Sequence, residues 1–199
     1  IKGKKADAVA ATRDALAAGV DPAAIMKDGL IGAMSVVGQK YSTGEFFLPQ
    51  MMIAARVMTE ALTLIKPLLA GESSKSKGKV VLGTVQGDFH DIGKNIVRMM
   101  LEGDGYEVVD LGVDVTAEAF IESVRAHAPQ FVLMSALITL TMESMRRVIA
   151  QLEASGLRSS VLVGVGGAPL THKFAQEIGA DFYSEDAYEC VKACNRLIH

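Results

Sequence analysis

Apolar positions recur with two different periods along the 199-residue chain. Over residues 1–70 the spacing is helical and no convincing strand is present. ADAVAATRDALAAG places apolar residues three and four apart and stops at Gly19. VDPAAIMKDGLIGAMSVVGQKY restarts a helix with Asp21 as N-cap and Pro22 at its first position. YSTGEFF reads as a turn. LPQMMIAARVMTEALTLIKPLLA then predicts a long helix, with Pro49 in its first turn and Pro67 near its end. Three such helices predict a bundle, whose fourth member would precede Ile1.

GESSKSKGK, residues 71–79, has no apolar residue and reads as a linker. Beyond it the period shortens. KVVLGTV, YEVVDLG, FVLMSAL, SVLVGVG and DFYS are short strand candidates. Helical stretches separate them at 92–103, 116–127, 140–154 and 170–178, with another after Asp186. Continuous apolar strands alternating with helices predict an α/β domain over residues 80–199, a parallel sheet covered on both faces. Ligands of such sheets bind beyond the carboxyl ends of the strands. Those ends carry GDFHDIG (87–93), SALIT (135–139) and GVGG (164–167).

Half of the residues are hydrophobic, enough for a sizeable core, and the net charge is −3. That balance argues against a nucleic-acid or anionic-membrane partner held by bulk charge. Lys2, Lys4 and Lys5 read as a solvated helix end rather than a targeting signal. No apolar run is long enough to span a bilayer, and no signal-peptide pattern is present. The two cysteines, Cys190 and Cys194, sit one helical turn apart and make neither a disulfide framework nor a metal cluster. A reducing, cytoplasmic setting is therefore expected.

The loop around His90 raises the chemical question. A partly exposed histidine with aspartates capping the next helix would be an ordinary loop. A dinucleotide site needs G-x-G-x-x-G, and Gly83, Gly87 and Gly93 are wrongly spaced for it. GKN at 93–95 is not a phosphate loop, and no G-x-S-x-G elbow is present. A metal-ligand reading fits better. One ring nitrogen of His90 would coordinate while the other donates to Asp88, two residues earlier. A single histidine cannot hold a free ion such as zinc, which needs three or four ligands. It suffices when a macrocycle supplies the rest, which points to a tetrapyrrole-type metal.

GDFHDIGKN resembles the D-x-H-x-x-G signature of cobalamin-binding domains, as found in methionine synthase and corrinoid methyltransferase proteins. SALIT and GVGGAPLT resemble the second and third signatures of that family, in the same order and at matching strand ends. YSTGEFFLPQMMIAARVM resembles the helical module that caps the cofactor in the methyltransferase branch. The similarity covers nearly the whole chain. It implies a helical cap over residues 1–70 and a Rossmann-like (flavodoxin-like) domain over 80–199.

The resemblance also implies roles. His90 would be the lower ligand of the cobalt in cobalamin or a related corrinoid, replacing the cofactor's own benzimidazole base, with Asp88 as its hydrogen-bond partner. Gly87, Asp91, Ile92 and Gly93 would line the same loop, Gly93 leaving room for the displaced nucleotide tail. Ser135, Leu137 and Thr139 would flank the slot for the tail, with Thr141 a weaker candidate, and Gly166, Gly167 and Ala168 would line its far end. Phe47, Leu48 and Met51, with Val57 or Met58 behind them, would form an apolar lid; plain bundle core explains such a Met-rich stripe equally well. His127, His172 and His199 read as surface residues, and the cysteines as helix packing.

The implied activity is that of a carrier component rather than a complete enzyme. A methyl group on cobalt would pass from a substrate-specific methyltransferase to a second methyltransferase acting on tetrahydrofolate or a thiol, with a reductive activase as a further partner. Methylamines, betaines, methanol and aryl methyl ethers are all donors served by proteins of this shape. The alternatives are the cobalamin subunit of an adenosylcobalamin mutase, which generally lacks such a cap, and a cobalamin-dependent sensor, for which no DNA-binding helix pair is evident.

Overall fold

The computed structural model describes residues 5–69 and 76–198. Lys2, Lys4, His199 and most of the expected linker lie outside the described residues. The chain divides into two compact units, one of Ile1–Ser76 with Met99–Gly105 and one of Lys77–Arg98 with Tyr106–His199.

The first unit is helical. It contains α1 (Lys5–Ala17), α2 (Pro22–Ala24), a π-helical stretch Ile25–Ile31, α3 (Gly32–Ser42) and α4 (Leu48–Leu69). The sequence pattern predicts one unbroken helix where α2, the π stretch and α3 follow one another. The irregular turn falls on IMKDGLI, where Asp28 and Gly29 are poor helix formers and a wider turn costs little. In α4 the buried residues Met51, Ala55, Met58, Leu62 and Ile65 recur three and four apart, forming one apolar stripe.

From β1 onward strand and helix alternate, with α5 divided between the units at Met99: β1 (Lys79–Thr84), α5 (Ile92–Gly103), β2 (Glu107–Asp110), α6 (Ala117–His127), β3 (Phe131–Ser135), α7 (Met142–Ala154), β4 (Leu162–Gly166), α8 (His172–Ile178), β5 (Phe182–Ser184) and α9 (Ala187–Leu197). All five strands are parallel, in the order β2-β1-β3-β4-β5. This is the expected Rossmann-like (flavodoxin-like) sheet. Val81, Val132 and Val163 share a core with Phe120 and Ile121 of α6, Val148 and Leu152 of α7, and Ala175 of α8. By strand alternation Val80, Leu82 and Leu133 face the other way. On that side Lys94 of α5 reaches Asp110, and Tyr106 donates to Asn195 of α9.

The helix starts follow from local capping. Thr116 Oγ1 accepts from Ala119 N–H, Thr171 Oγ1 from Phe174 N–H, and Asp186 Oδ1 from Glu189 N–H. One boundary differs from the pattern: a 3₁₀ turn at Thr139–Thr141 precedes α7 and takes up the start of the span predicted as one helix. Chain order reverses between β1 and β3, which leaves a crevice beyond their carboxyl ends. The loops carrying His90 and SALIT leave the sheet there. Among the described residues no helix is long and apolar enough to cross a membrane.

Candidate functional site

Asp88 is the hub of the site. Its side chain is fully buried, just past the end of β1, and both oxygens are occupied. Oδ1 accepts from the backbone N–H of His90 at 3.1 Å and lies 2.7 Å from His90 Nδ1. Oδ2 accepts from Leu137 N–H at 2.7 Å, Ile138 N–H at 3.2 Å and Thr141 Oγ1 at 2.8 Å. Burial by itself pushes the Asp88 carboxyl up. The donors on Leu137, His90 and Thr141 outweigh it and hold the carboxyl far below the ordinary carboxylate range.

An ionised Asp88 can only accept, so His90 Nδ1 carries the ring proton towards it. In the neutral ring this leaves the lone pair on Nε2, for which no partner exists among the described residues. The His90 side chain is 52 % exposed. The pair therefore presents one oriented nitrogen to the outside.

The loop beneath is tied at several points. Thr84 Oγ1 donates to His90 O at 2.9 Å, and Ser144 Oγ to Gln86 O at 3.1 Å. Gly87, at φ +85°, holds a backbone conformation that a side chain would strain. Its N–H donates to Asp114 Oδ1 at 2.7 Å, and Asp114 N–H donates to Asp88 O at 2.9 Å. Asp114 itself has φ +54°, a strain of roughly 1–2 kcal/mol for an ordinary residue and less for aspartate.

The other expected residues fall around this hub. Asp91 is exposed; its carbonyl accepts the Asn95 N–H that opens α5, and its Oδ2 accepts from Asn95 Nδ2. A Cβ on Gly93 would meet nothing within 4 Å, so the space beside it is open. Thr84, Ser135, Gly166 and Ser184 stand in register across four strand ends, a low rim of small side chains. Thr139 and Ala168 are exposed. Thr141, ranked by sequence below Thr139, is the threonine that reaches Asp88. A Cβ on Gly167 would come within 1.8 Å of Ala136 O, and that residue has φ +135°. Close approach of two loops thus requires this glycine whatever the site holds.

Phe47 and Met51 belong to the helical unit. Phe47 is 66 % exposed, whereas Met51 is buried at 1 % and is core. Of these two, only Phe47 offers an open face. His127 and His172 are exposed, His172 against the Tyr183 ring at 4.9 Å. Cys190 and Cys194 are buried in α9.

Two features escaped the sequence reading. Asp114 lies in the loop after the carboxyl end of β2, a strand end from which no candidate was drawn, and GVDV would have been its signal. Lys94, almost fully buried, donates to both oxygens of Asp110 at 2.6 and 2.7 Å and joins the start of α5 to the end of β2.

The chemistry of this donor set can be tested against a corrinoid. Among the described residues no three His, Cys, Asp or Glu side chains come together to hold a bare metal ion. One imidazole with an outward lone pair suits a metal that arrives with its ring ligands already in place. Phe89, Ile92, Leu137, Ile138 and Leu140 are exposed around it, an apolar margin of the kind a large ring would cover. The residues present fit the group.

Residues 78–192 match the family described as the B12 binding domain, and residues 1–66 match a second family of the same description. The trimethylamine corrinoid protein of Methanosarcina barkeri is 43 % identical over 180 residues, 89 % of this chain and 83 % of that protein. Dimethylamine corrinoid protein 2 of Methanosarcina mazei is 42 % identical over 195 residues, 98 % of this chain and 91 % of its own length. Among solved structures, the methanol:cobalamin methyltransferase complex MtaBC from Methanosarcina barkeri superposes with TM-score 0.87 at 35 % identity, covering 98 % of this chain and 75 % of the matched chain.

Proposed function

Because the chain belongs to the B12-binding family, we propose that it is a methyl-carrying corrinoid protein, charged by a substrate-specific methyltransferase and discharged by a second one. The observation that carries this reading is the outward Nε2 of His90, with its tautomer set by Asp88. Its support is twofold: relatives named as corrinoid proteins for methylated amines, and a likeness to a chain in a methanol methyltransferase complex.

A bound corrinoid would supply a cobalt centre that accepts and releases a methyl group. The residues of the chain have narrower tasks. His90 Nε2 would hold the metal, and it must be free of a proton to serve. When it is not a ligand, Nε2 can carry a proton, with Asp88 compensating the charge through Nδ1–H. Leu137, Ile138 and Thr141 keep Asp88 ionised throughout, so the proton moves at Nε2 and not at the carboxylate. Gly93 would leave room for the nucleotide tail, with Ser135 and Gly166 on the rim beside it.

The donor belongs to the partner enzyme. Methylated amines head the panel to be tried, followed by methanol, betaines and aryl methyl ethers; tetrahydrofolate and thiols are the proposed acceptors, and a reductive activase would restore the reduced state. Reconstituted protein should be methylated by one such partner, with a change in its visible spectrum. His90→Gly should keep weakened corrinoid binding and slow the transfer. A variant with the spectrum and turnover of the parent would overthrow the ligand assignment.

A further inference from the structure

We infer that Asp114 is a positioning residue for the Asp88–His90 pair. The inference rests on the ligand reading above and deepens it. The segment after β2 runs alongside the extension of β1: Thr84 N–H donates to Gly112 O at 3.0 Å, Val115 N–H to Thr84 O at 3.0 Å, and Val85 bridges Val115. Asp114 adds a two-way clamp one step further out. Its N–H donates to Asp88 O at 2.9 Å, and its Oδ1 receives Gly87 N–H at 2.7 Å.

Gly87 and Asp88 are where the chain leaves the strand, and the positive φ of Gly87 sets the direction of departure. Fixing Gly87 N–H and Asp88 O holds the two peptide planes that flank the Gly87–Asp88 link, and so sets the plane between them. The plane in turn decides whether the Asp88 carboxylate falls between the Leu137 and Ile138 N–H groups on one side and His90 on the other. Asp114 is exposed, so its left-handed backbone is not enforced by burial. Its conformation is explained by the clamp, which both its N–H and its carboxylate complete. Asp114 thus acts on the imidazole through Asp88.

The test separates backbone strain from the hydrogen bond. Asp114→Gly relaxes the positive φ and removes the acceptor, whereas Asp114→Asn keeps an acceptor and tolerates the left-handed region. In the cofactor-free protein, exchange of the Gly87 amide should quicken about tenfold or more in Asp114→Gly and remain near the parent rate in Asp114→Asn. Over the same pair, the ¹⁵N shifts of the His90 ring should move from the Nδ1–H form towards mixed tautomers and then return. In the corrinoid-loaded, one-electron-reduced protein, the histidine-nitrogen splitting in the electron paramagnetic resonance spectrum should fall to a minority of the signal in Asp114→Gly and recover in Asp114→Asn. Asp114→Gly matching the parent in exchange and ring shifts would overturn the inference. Absence of that splitting in the parent would instead overturn the ligand reading, and the cofactor-free measurements would still decide on Asp114.

Discussion

His90 Nδ1 and Asp88 Oδ1 lie 2.7 Å apart, while the second oxygen of Asp88 is held by Leu137, Ile138 and Thr141. The imidazole that closes the β1 loop is therefore oriented by a carboxylate anchored at the end of β3. Two strand ends cooperate to aim one nitrogen.

Replacing Asp88 by asparagine should be costly, because an amide can accept on one side only. Either His90 or the Leu137–Thr141 donors then face an NH₂ group. Each buried donor left without a partner costs about 1–3 kcal/mol. A loss of roughly 2–4 kcal/mol is expected from denaturant unfolding of the cofactor-free protein. Corrinoid affinity should fall about 10–100-fold in a spectral titration.

Thr141→Ser and Thr141→Val should part company. Serine keeps the hydroxyl that donates to Asp88 Oδ2, and valine keeps only the shape. The valine variant should lose about 1.5–3 kcal/mol, the range for a hydrogen bond to a charged group. Thr139→Val, at an exposed position, should change cofactor-free stability by no more than about 0.5 kcal/mol.

Acid should weaken the fold through Asp88. Its carboxyl titrates well below the ordinary range in the folded state and at about 3.9 in the unfolded chain. The unfolded state thus binds the proton first. The contribution is fully present above about pH 4 and declines as the pH drops further, towards the lower folded value. Asp88→Asn should flatten the pH dependence of stability below that point, as urea midpoints measured from pH 2 to pH 6 would reveal.

Two glycine substitutions should behave in opposite ways. Gly167→Ala drives a Cβ into Ala136 O at a strained φ and should destabilise by about 3 kcal/mol or more. Gly93→Ala meets open space inside α5 and should stabilise the cofactor-free protein by about 0.5–1 kcal/mol. If the nucleotide tail passes beside Gly93, the same methyl group should weaken corrinoid binding. Thermal melts and spectral titrations of the two variants would show the contrast, and unaltered binding by Gly93→Ala would remove the tail from that space.

The kinds and order of elements in the second unit are written in the chain, because the period of apolar positions reports a local property. KVVLGT is buried along nearly its full length, as a strand covered on both faces must be, and Thr116, Thr171 and Asp186 mark helix starts wherever the sheet stands. The parallel sheet and the loop with Asp88 and His90 at a strand end follow from those patterns. The break in the second helix at Ile25–Ile31 does not, since the preference of one turn for a wider winding is too weak to shift the overall period.

Tertiary structure alone decided what holds the carboxylate behind the histidine. Asp88 and Thr141 stand 53 positions apart, and no periodicity favours Thr141 over Thr139. The donors of Leu137 and Ile138 are backbone N–H groups, which every residue but proline carries, so residue type gives no trace of their use. Asp114 likewise acts through a backbone turn as much as through its carboxylate. Met51 and Phe47 share an apolar character in sequence; the packing of the helices buries one and leaves the other open. Local periodicity is a property of neighbours along the chain, whereas the aim of His90 Nε2 comes from contacts between strand ends that only folding brings together.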